Sequence, residues 1–256
     1  MYHKLTAEDI KKELGLPKNY KVDAFAIYGG GDAKRYKRKF LSALGDLNYK
    51  IEKLPNSFIR EILSIRVKNK RIWFAVEYGG ARLSEYIHFA SIFGSKKNIL
   101  VGKCGGLQKS QTVFGVIVPD SSYSTESSCH MYLRQKQDNL FESDKTLSER
   151  IFHRMKKEGI KVYRGKTITC QAMMAETWED VLSWSRQGFL GVEMEAATLF
   201  AVSNHFKVPA TAILQIADNL IEKEIVSSKS YLKKKAKLNH LRKFFLKVVL
   251  DEIFNI

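Results

Sequence analysis

Short apolar stretches rich in β-branched and aromatic residues alternate along this chain with longer stretches of helical periodicity. Such alternation is typical of α/β folds, in which helices cover a largely buried sheet. The stretches with strand character are 22–28, 72–78, 98–102, 113–118, 162–170 and 211–217. Those with helical character are 7–13, 33–44, 84–93, 148–158, 178–187 and 193–205, followed by a last helix around 238–252. No segment resembles an interdomain linker, so the pattern predicts one α/β domain over residues 1–256.

Composition narrows the class of protein further. With 256 residues and 45% hydrophobic content, the chain can bury a full core. It has no run of about 18 uncharged apolar residues and no signal-like start. The three cysteines, Cys104, Cys129 and Cys170, are widely spaced, which fits neither a disulfide framework nor a zinc site. We therefore expect a cytoplasmic protein without membrane contact and without a metal.

The net charge of +16 raises the question of nucleic-acid binding, because a basic surface attracts polyanions. Lysines and arginines are spread over the whole chain, however, with small clusters at 34–39 and 233–237. No basic motif interleaved with aromatic residues accompanies them. A solvated, lysine-rich surface is therefore favoured over a nucleic-acid interface, and a small anionic substrate would account for part of the charge.

A glycine run, Gly29-Gly30-Gly31, follows the apolar strand ending at Tyr28 and precedes a basic helix that contains Arg35. Glycine lets the backbone turn tightly and approach an anion, and a helix start favours negative charge. The run fits neither the dinucleotide fingerprint nor the Walker loop. A phosphate site and an ordinary strand-to-helix turn both remain open for this segment.

A second strand runs into a glycine turn at Gly102-Lys103-Cys104-Gly105. Lys103 is a point charge suited to an anion, although a lysine facing solvent is the alternative. No histidine lies near Cys104 in sequence, and a small buried thiol is the usual role of such a residue. We expect no catalysis by Cys104.

Two further segments are notable for their carboxylates. Glu193 and Glu195 flank Met194 at the start of an apolar helical stretch, where buried acids need hydrogen-bond partners. Sugar hydroxyls suit them, and Met194 could pack on a ribose ring, but acids are also common at helix starts. Asp218, at the end of an apolar strand, fits a general acid or a helix cap.

Taken in order, these features resemble the nucleoside phosphorylase family, in particular its hexameric purine and uridine branch, from about residue 23 to 220. The most specific stretch contains Val-Glu-Met-Glu-Ala-Ala from Val192 and Ile-Ala-Asp ending at Asp218. Further matches are Gly79-Gly80, the spacing from Gly80 to Gly94, segment 101–105, and Glu126-Ser127-Ser128 with Tyr132. The resemblance implies a single-domain, three-layer fold with a central mixed β-sheet flanked by helices.

The resemblance also implies a role for each matching residue. Asp218 and Glu195 would be catalytic, with Asp218 beside the purine N7 and Glu195 on the ribose 2′ and 3′ hydroxyls. The implied phosphate ligands are Gly31, Arg35, Arg60 and Lys103. The implied nucleoside ligands are His3, Gly105, Met173, Glu193, Met194 and Glu195. No cofactor is implied, because inorganic phosphate is the co-substrate.

Two of these roles imply an assembly. Arg60 and His3 resemble residues that complete a neighbouring subunit's site, so a homo-oligomer of at least a dimer is expected, with a hexamer favoured. Asp218 favours purines, because uridine-cleaving relatives usually lack an acid there. The leading hypothesis is a purine nucleoside phosphorylase of purine salvage, with 5′-methylthioadenosine among the candidate substrates.

Departures from the family pattern keep alternatives open. Leu100 stands where phosphate-using relatives carry an arginine, and Lys103 replaces a serine or threonine. Ala81-Arg82 replaces Pro-Ser, and Met173 replaces an aromatic residue. The Gly-Lys-Cys-Gly-Gly-Leu run is similar to that of AMP nucleosidases, which use water, and Arg82 or Lys103 would then grip a 5′-phosphate. A nucleosidase and a weakly active relative that binds nucleosides or RNA are the alternatives.

Overall fold

The computed structural model describes residues 4–223 and 229–255. The strands in this part of the chain are β1 (Ala24–Gly29), β2 (Tyr49–Glu52), β3 (Leu63–Val67), β4 (Lys70–Glu77), β5 (Asn98–Gly106), β6 (Val116–Tyr123), β7 (Leu140–Glu142), β8 (Val162–Thr169), β9 (Gly191–Glu193) and β10 (Ala210–Asn219). The α-helices are α1 (Ala7–Glu13), α2 (Ala33–Leu44), α3 (Gly80–Ile92), α4 (Ser127–Tyr132), α5 (Lys145–Lys157), α6 (Trp178–Arg186), α7 (Ala196–His205) and α8 (Lys229–Phe254).

Local signals account for the helix starts that were predicted correctly. Thr6 forms a capping box with Asp9 at the start of α1, and the Asp32 side chain accepts a hydrogen bond from the Arg35 N–H at the start of α2. Both helices therefore have the predicted bounds, 7–13 and 33–44.

Other predicted bounds are wrong for physical reasons. The helix predicted from residue 84 begins at Gly80, because Gly79 takes a positive φ of 82° and acts as its N-cap. The helix predicted from Glu193 begins at Ala196, because residues 191–193 form the short strand β9. The polar edge strand β2 and the three-residue strands β7 and β9 lack an apolar run long enough to indicate them.

The sheet combines an open part with a closed ring. β1 lies parallel between β4 and β5, and β3 and β2 extend the sheet antiparallel beyond β4. From β5 the sheet continues through β10, β6, β8 and β9, and β9 pairs back with β5. The expected α/β fold with a central mixed sheet flanked by helices is thus confirmed, and five of its strands additionally close on themselves.

Side chains that alternate along the strands pack into two apolar layers, one on each face of the sheet. Leu100 of β5 lies in the layer formed with α3 and α7, which also contains Trp73 and Phe200. Val101, the next residue, lies in the layer formed with α2, α5 and α8. Because successive strand residues face opposite sides, neighbouring positions on β5 serve different halves of the protein.

None of the helices within the described residues is both long and apolar enough to cross a membrane.

The second layer generates a stability prediction. Phe40 of α2 is fully buried and stacks on Phe74 of β4, with ring centroids 4.2 Å apart. Replacing Phe40 by Ala should lower the free energy of unfolding by about 3–5 kcal/mol, since a cavity replaces the ring. Urea denaturation measures this loss, with the exposed Lys34→Ala on the same helix as control. Equal stability of the two variants would contradict the packing described.

Candidate active site

The turn after β1 brings a buried carboxylate against the backbone. Gly30 and Gly31 take positive φ angles of 70° and 101°, and the Gly30 N–H donates to the Glu77 carbonyl at 2.6 Å. A Cβ atom at Gly29 would lie 2.7 Å from Oε2 of Glu195. Glycine at position 29 is therefore required by the approach of Glu195, which the sequence alone did not indicate.

Glu195 lies at the junction between the end of β1 and the start of α3. Its side chain is buried, and Oε1 accepts a hydrogen bond from the Gly79 N–H at 2.8 Å. Burial and the nearby charge of Glu193 raise the pKa of Glu195 to about 8, although the Gly79 N–H opposes the shift. Oε1 is thus held by the protein, and Oε2 faces the glycine turn.

Glu193 anchors the segment that carries Glu195. Its Oε2 accepts from the backbone N–H groups of Glu195 and Ala196, at 2.7 and 2.6 Å. Its Oε1 accepts from the Ser122 hydroxyl at 3.2 Å and from the Thr169 hydroxyl. Both oxygens are engaged inside the protein, so the geometry makes Glu193 a positioning residue. A direct contact between Glu193 and a nucleoside stays a prediction.

Gln171 is a site residue that the sequence analysis missed. Its Nε2 donates to the Met194 carbonyl, and its Oε1 accepts from the Gly80 N–H, both at 2.9 Å. Gln171 therefore joins the Met194 segment to the start of α3. The signal was available, since a polar residue that follows β8 at a strand end is a typical position for a ligand or a support.

The end of β5 separates two groups of predicted ligands. Gly105 pairs with Asp218 of β10 on one side and with Val192 of β9 on the other. A Cβ atom at Gly105 would lie 2.8 Å from Cδ1 of Leu220, so a side chain there would displace Leu220. The predicted base-contacting acid and the predicted ribose-contacting segment therefore meet across this strand.

Asp218 lies just after a β-bulge, where the register of β10 shifts between Ile216 and Asp218. It is partly exposed, whereas Ile216 is fully buried. Burial raises the pKa of the Asp218 carboxyl above its ordinary value, and the charge of Lys103 opposes this. Glu176 lies nearby, and its pKa is raised mainly by burial and further by the charge of Asp218. Two carboxyl groups with raised pKa values, Asp218 and Glu176, therefore lie near each other at this end of the sheet.

The remaining predicted residues differ in how far they are built into this site. Met194 is buried beside Glu195, whereas Met173 is 49% exposed in a 3-10 turn, Met173–Ala175. Arg35 and Arg60 are both exposed, on α2 and on the turn before β3. Their contacts with phosphate stay predictions. His3 lies outside the described residues.

Two departures from the family pattern have a clear structural setting. Leu100 is fully buried in the apolar layer with α3 and α7, and Cδ1 lies 3.5 Å from the place a Cβ of Gly29 would occupy. Arg82 forms a bidentate ion pair with the buried Glu77, at 3.0 and 3.1 Å. Because Arg82 is ion-paired with Glu77, the structure does not support binding of a 5′-phosphate by Arg82.

Comparison with known proteins identifies the class. The family model described as the phosphorylase superfamily matches residues 80–251, more than half of the chain. The chain therefore belongs to the phosphorylase superfamily, which confirms the resemblance to nucleoside phosphorylases seen in its motifs.

Similar curated proteins are purine nucleoside phosphorylases of the DeoD type. The protein from Buchnera aphidicola subsp. Schizaphis graminum is 27% identical over 137 residues, covering 54% of this chain and 58% of that protein. The protein from an Exiguobacterium species is 30% identical over 136 residues, covering 53% and 57%. The matched segments thus span little more than half the length of these relatives.

A similar solved structure is uridine phosphorylase from Vibrio fischeri ES114 in complex with 6-hydroxy-1-naphthoic acid. The TM-score is 0.72 at 18% identity, and the alignment covers 92% of this chain and 93% of that chain. At this identity the likeness shows a shared fold.

The raised pKa of Glu195 predicts how stability varies with pH. Its ordinary value is 4.5 and its folded-state value is about 8, so the carboxyl is more easily ionised in the unfolded chain. The stability that its protonated form contributes is present below pH 4.5 and is lost as pH rises through 8. One pKa unit corresponds to about 1.4 kcal/mol, so the loss amounts to several kcal/mol.

Glu195→Gln removes this titration. The variant should have nearly the stability of the wild type at pH 5, and its advantage in Tm should grow up to pH 9. Differential scanning calorimetry across this range measures the difference, with the exposed Glu158→Gln as control. A difference that does not change with pH would contradict the raised pKa.

Proposed function

We propose that this protein is a purine nucleoside phosphorylase, which cleaves the N-glycosidic bond with inorganic phosphate to give a free purine and ribose 1-phosphate. Nucleosides with a modified 5′ position, such as 5′-methylthioadenosine, are included among its substrates. The family, the names of the curated relatives and the acid at position 218 support this proposal.

One observation carries the proposal: Asp218 and the segment that holds Glu195 lie on either side of the end of β5. A nucleoside needs a proton donor at its base and hydrogen-bond partners at its ribose, held a few ångströms apart. The end of β5 offers both. Oε2 of Glu195, which faces the glycine turn, is the partner for the ribose hydroxyls.

The reaction follows from these two carboxyl groups. As the bond from C1′ to N9 breaks, its electron pair moves into the purine and positive charge develops on the ribose. Asp218, whose pKa is raised by burial, donates a proton to N7 of the leaving base. An oxygen of phosphate then bonds to C1′. Glu195 hydrogen-bonds the ribose hydroxyls, and its ionised fraction, which grows as pH rises through 8, stabilises the developing positive charge.

Phosphate binding is assigned to Gly31, Arg35 and Lys103, with Arg60 contributed by a neighbouring subunit. We propose a homo-oligomer of at least a dimer for this reason, with His3 of one subunit reaching the nucleoside of the other. A monomer in solution would contradict both of these assignments.

Leu100 supports one alternative, a nucleosidase that uses water. A buried leucine cannot provide the bidentate contact to phosphate that an arginine gives. Product analysis separates the two reactions. The phosphorylase is expected to release purine from inosine or adenosine only when phosphate is present, and to form ribose 1-phosphate. Equal rates of purine release with and without phosphate, with accumulation of free ribose, would contradict the phosphorylase proposal and support the nucleosidase hypothesis.

Proton donation by Asp218 has a specific test. Asp218→Ala should reduce kcat for inosine about a hundredfold or more, since a lost general acid typically costs this much. A purine nucleoside methylated at N7 already carries the positive charge that protonation would create, so its cleavage should be far less affected. The control is Asp46→Ala, on a residue that is exposed after α2. Equal losses for both substrates would contradict the role as acid.

A further inference from the structure

Basic side chains from three elements converge on the side of β5 that faces α2 and α8. Arg35 and Lys39 belong to α2, Arg242 belongs to α8, and Lys103 belongs to β5. Lys103 lies next to Cys104, which faces the opposite layer, so alternation directs Lys103 to the α2 and α8 side. The proximity of these groups is visible at Lys39, whose pKa is lowered by burial and then by the charges of Arg35, Arg242 and Lys103.

A buried amide lies within this cluster. Gln215 of β10 is 1% exposed and stands opposite Lys103 in the register of the two strands. Its Oε1 accepts a hydrogen bond from Nε of Arg242 at 3.3 Å. Its Nε2 has no hydrogen-bond acceptor among the described residues. A buried donor without an acceptor is costly, and an oxyanion beside it would remove that cost.

Two stacked tyrosine rings lie beside the cluster. Tyr28 and Tyr36 are buried and stacked, with ring centroids 3.6 Å apart, and Nζ of Lys39 lies 5.5 Å from the Tyr36 ring centroid. Burial raises the pKa of Tyr28, so its hydroxyl stays protonated at neutral pH. Lys39 therefore lies against the Tyr36 ring.

We propose that Lys39 and Arg242 are phosphate-binding residues, which together with Arg35, Lys103 and the Nε2 of Gln215 hold the inorganic phosphate. This inference rests on the proposed function for the identity of the anion. It also explains how the site tolerates Leu100 in place of the arginine of phosphate-using relatives. Position 100 faces the layer of α3 and α7. The positive charge that this arginine would provide comes instead from the cluster on the other face of β5, where α2 and α8 meet.

The test compares Lys39→Gln and Arg242→Gln with Arg38→Gln and Lys243→Gln, which remove exposed charges from the same two helices. The first two should raise KM for inorganic phosphate about tenfold or more, since a charged hydrogen bond is lost, with less than a twofold change in KM for the nucleoside. The two controls should leave both constants unchanged. Arg242→Lys should recover part of the affinity. Unchanged phosphate KM in Lys39→Gln and Arg242→Gln would overturn the proposal.

Isothermal titration calorimetry with inorganic phosphate, in the absence of any nucleoside, measures phosphate binding without catalysis. Failure of this inference can therefore be distinguished from failure of the proposed function. Tm values without phosphate establish that each variant is folded. If the wild type cleaves nucleosides without phosphate, the phosphorylase proposal fails, yet loss of phosphate binding in the two variants would still support the site. A parallel titration with adenosine 5′-phosphate shows whether a nucleotide supplies the anion instead. Absence of binding by the wild type to both would overturn the site.

Discussion

Two backbone N–H groups at the start of α7 donate to the buried carboxylate of Glu193, and much of the site depends on this contact. It fixes the turn between β9 and α7, and so directs Glu195 towards the end of β1. The hydroxyls of Ser122 and Thr169 complete the partners of Glu193. A buried acid is costly unless it is hydrogen-bonded, and here the full set of partners fixes one backbone conformation.

The cost of this arrangement appears at Glu195. Its carboxyl is buried close to that of Glu193, and two acids in one apolar region cannot both ionise easily. Glycine at position 29 allows the backbone to approach it, since a Cβ there would lie 2.7 Å from Oε2, and the Gly79 N–H donates to Oε1. A desolvated carboxyl with a raised pKa at a strand end is typical of a functional position, where stability is given up for a defined geometry.

The sequence predicted the α/β class and the segments that carry Glu195 and Asp218, because apolar strands and glycine turns leave strong local signals. It did not predict that five strands close into a ring, because β9 has only three residues and its pairing with β5 is a long-range contact. Gln171 and the support role of Glu193 also depend on tertiary contacts. Leu100 was recognised as a departure, but the cations on the far side of the sheet became visible only when α8 was placed beside α2.

The central claim is that base and ribose are held on either side of the end of β5. A crystal structure of the protein with inorganic phosphate and an uncleavable purine nucleoside analogue tests it most directly. N7 of the purine is expected within about 3 Å of the Asp218 carboxyl, and the ribose hydroxyls at the same distance from Oε2 of Glu195. A nucleoside bound elsewhere, or with its ribose turned away from Glu195, would contradict it.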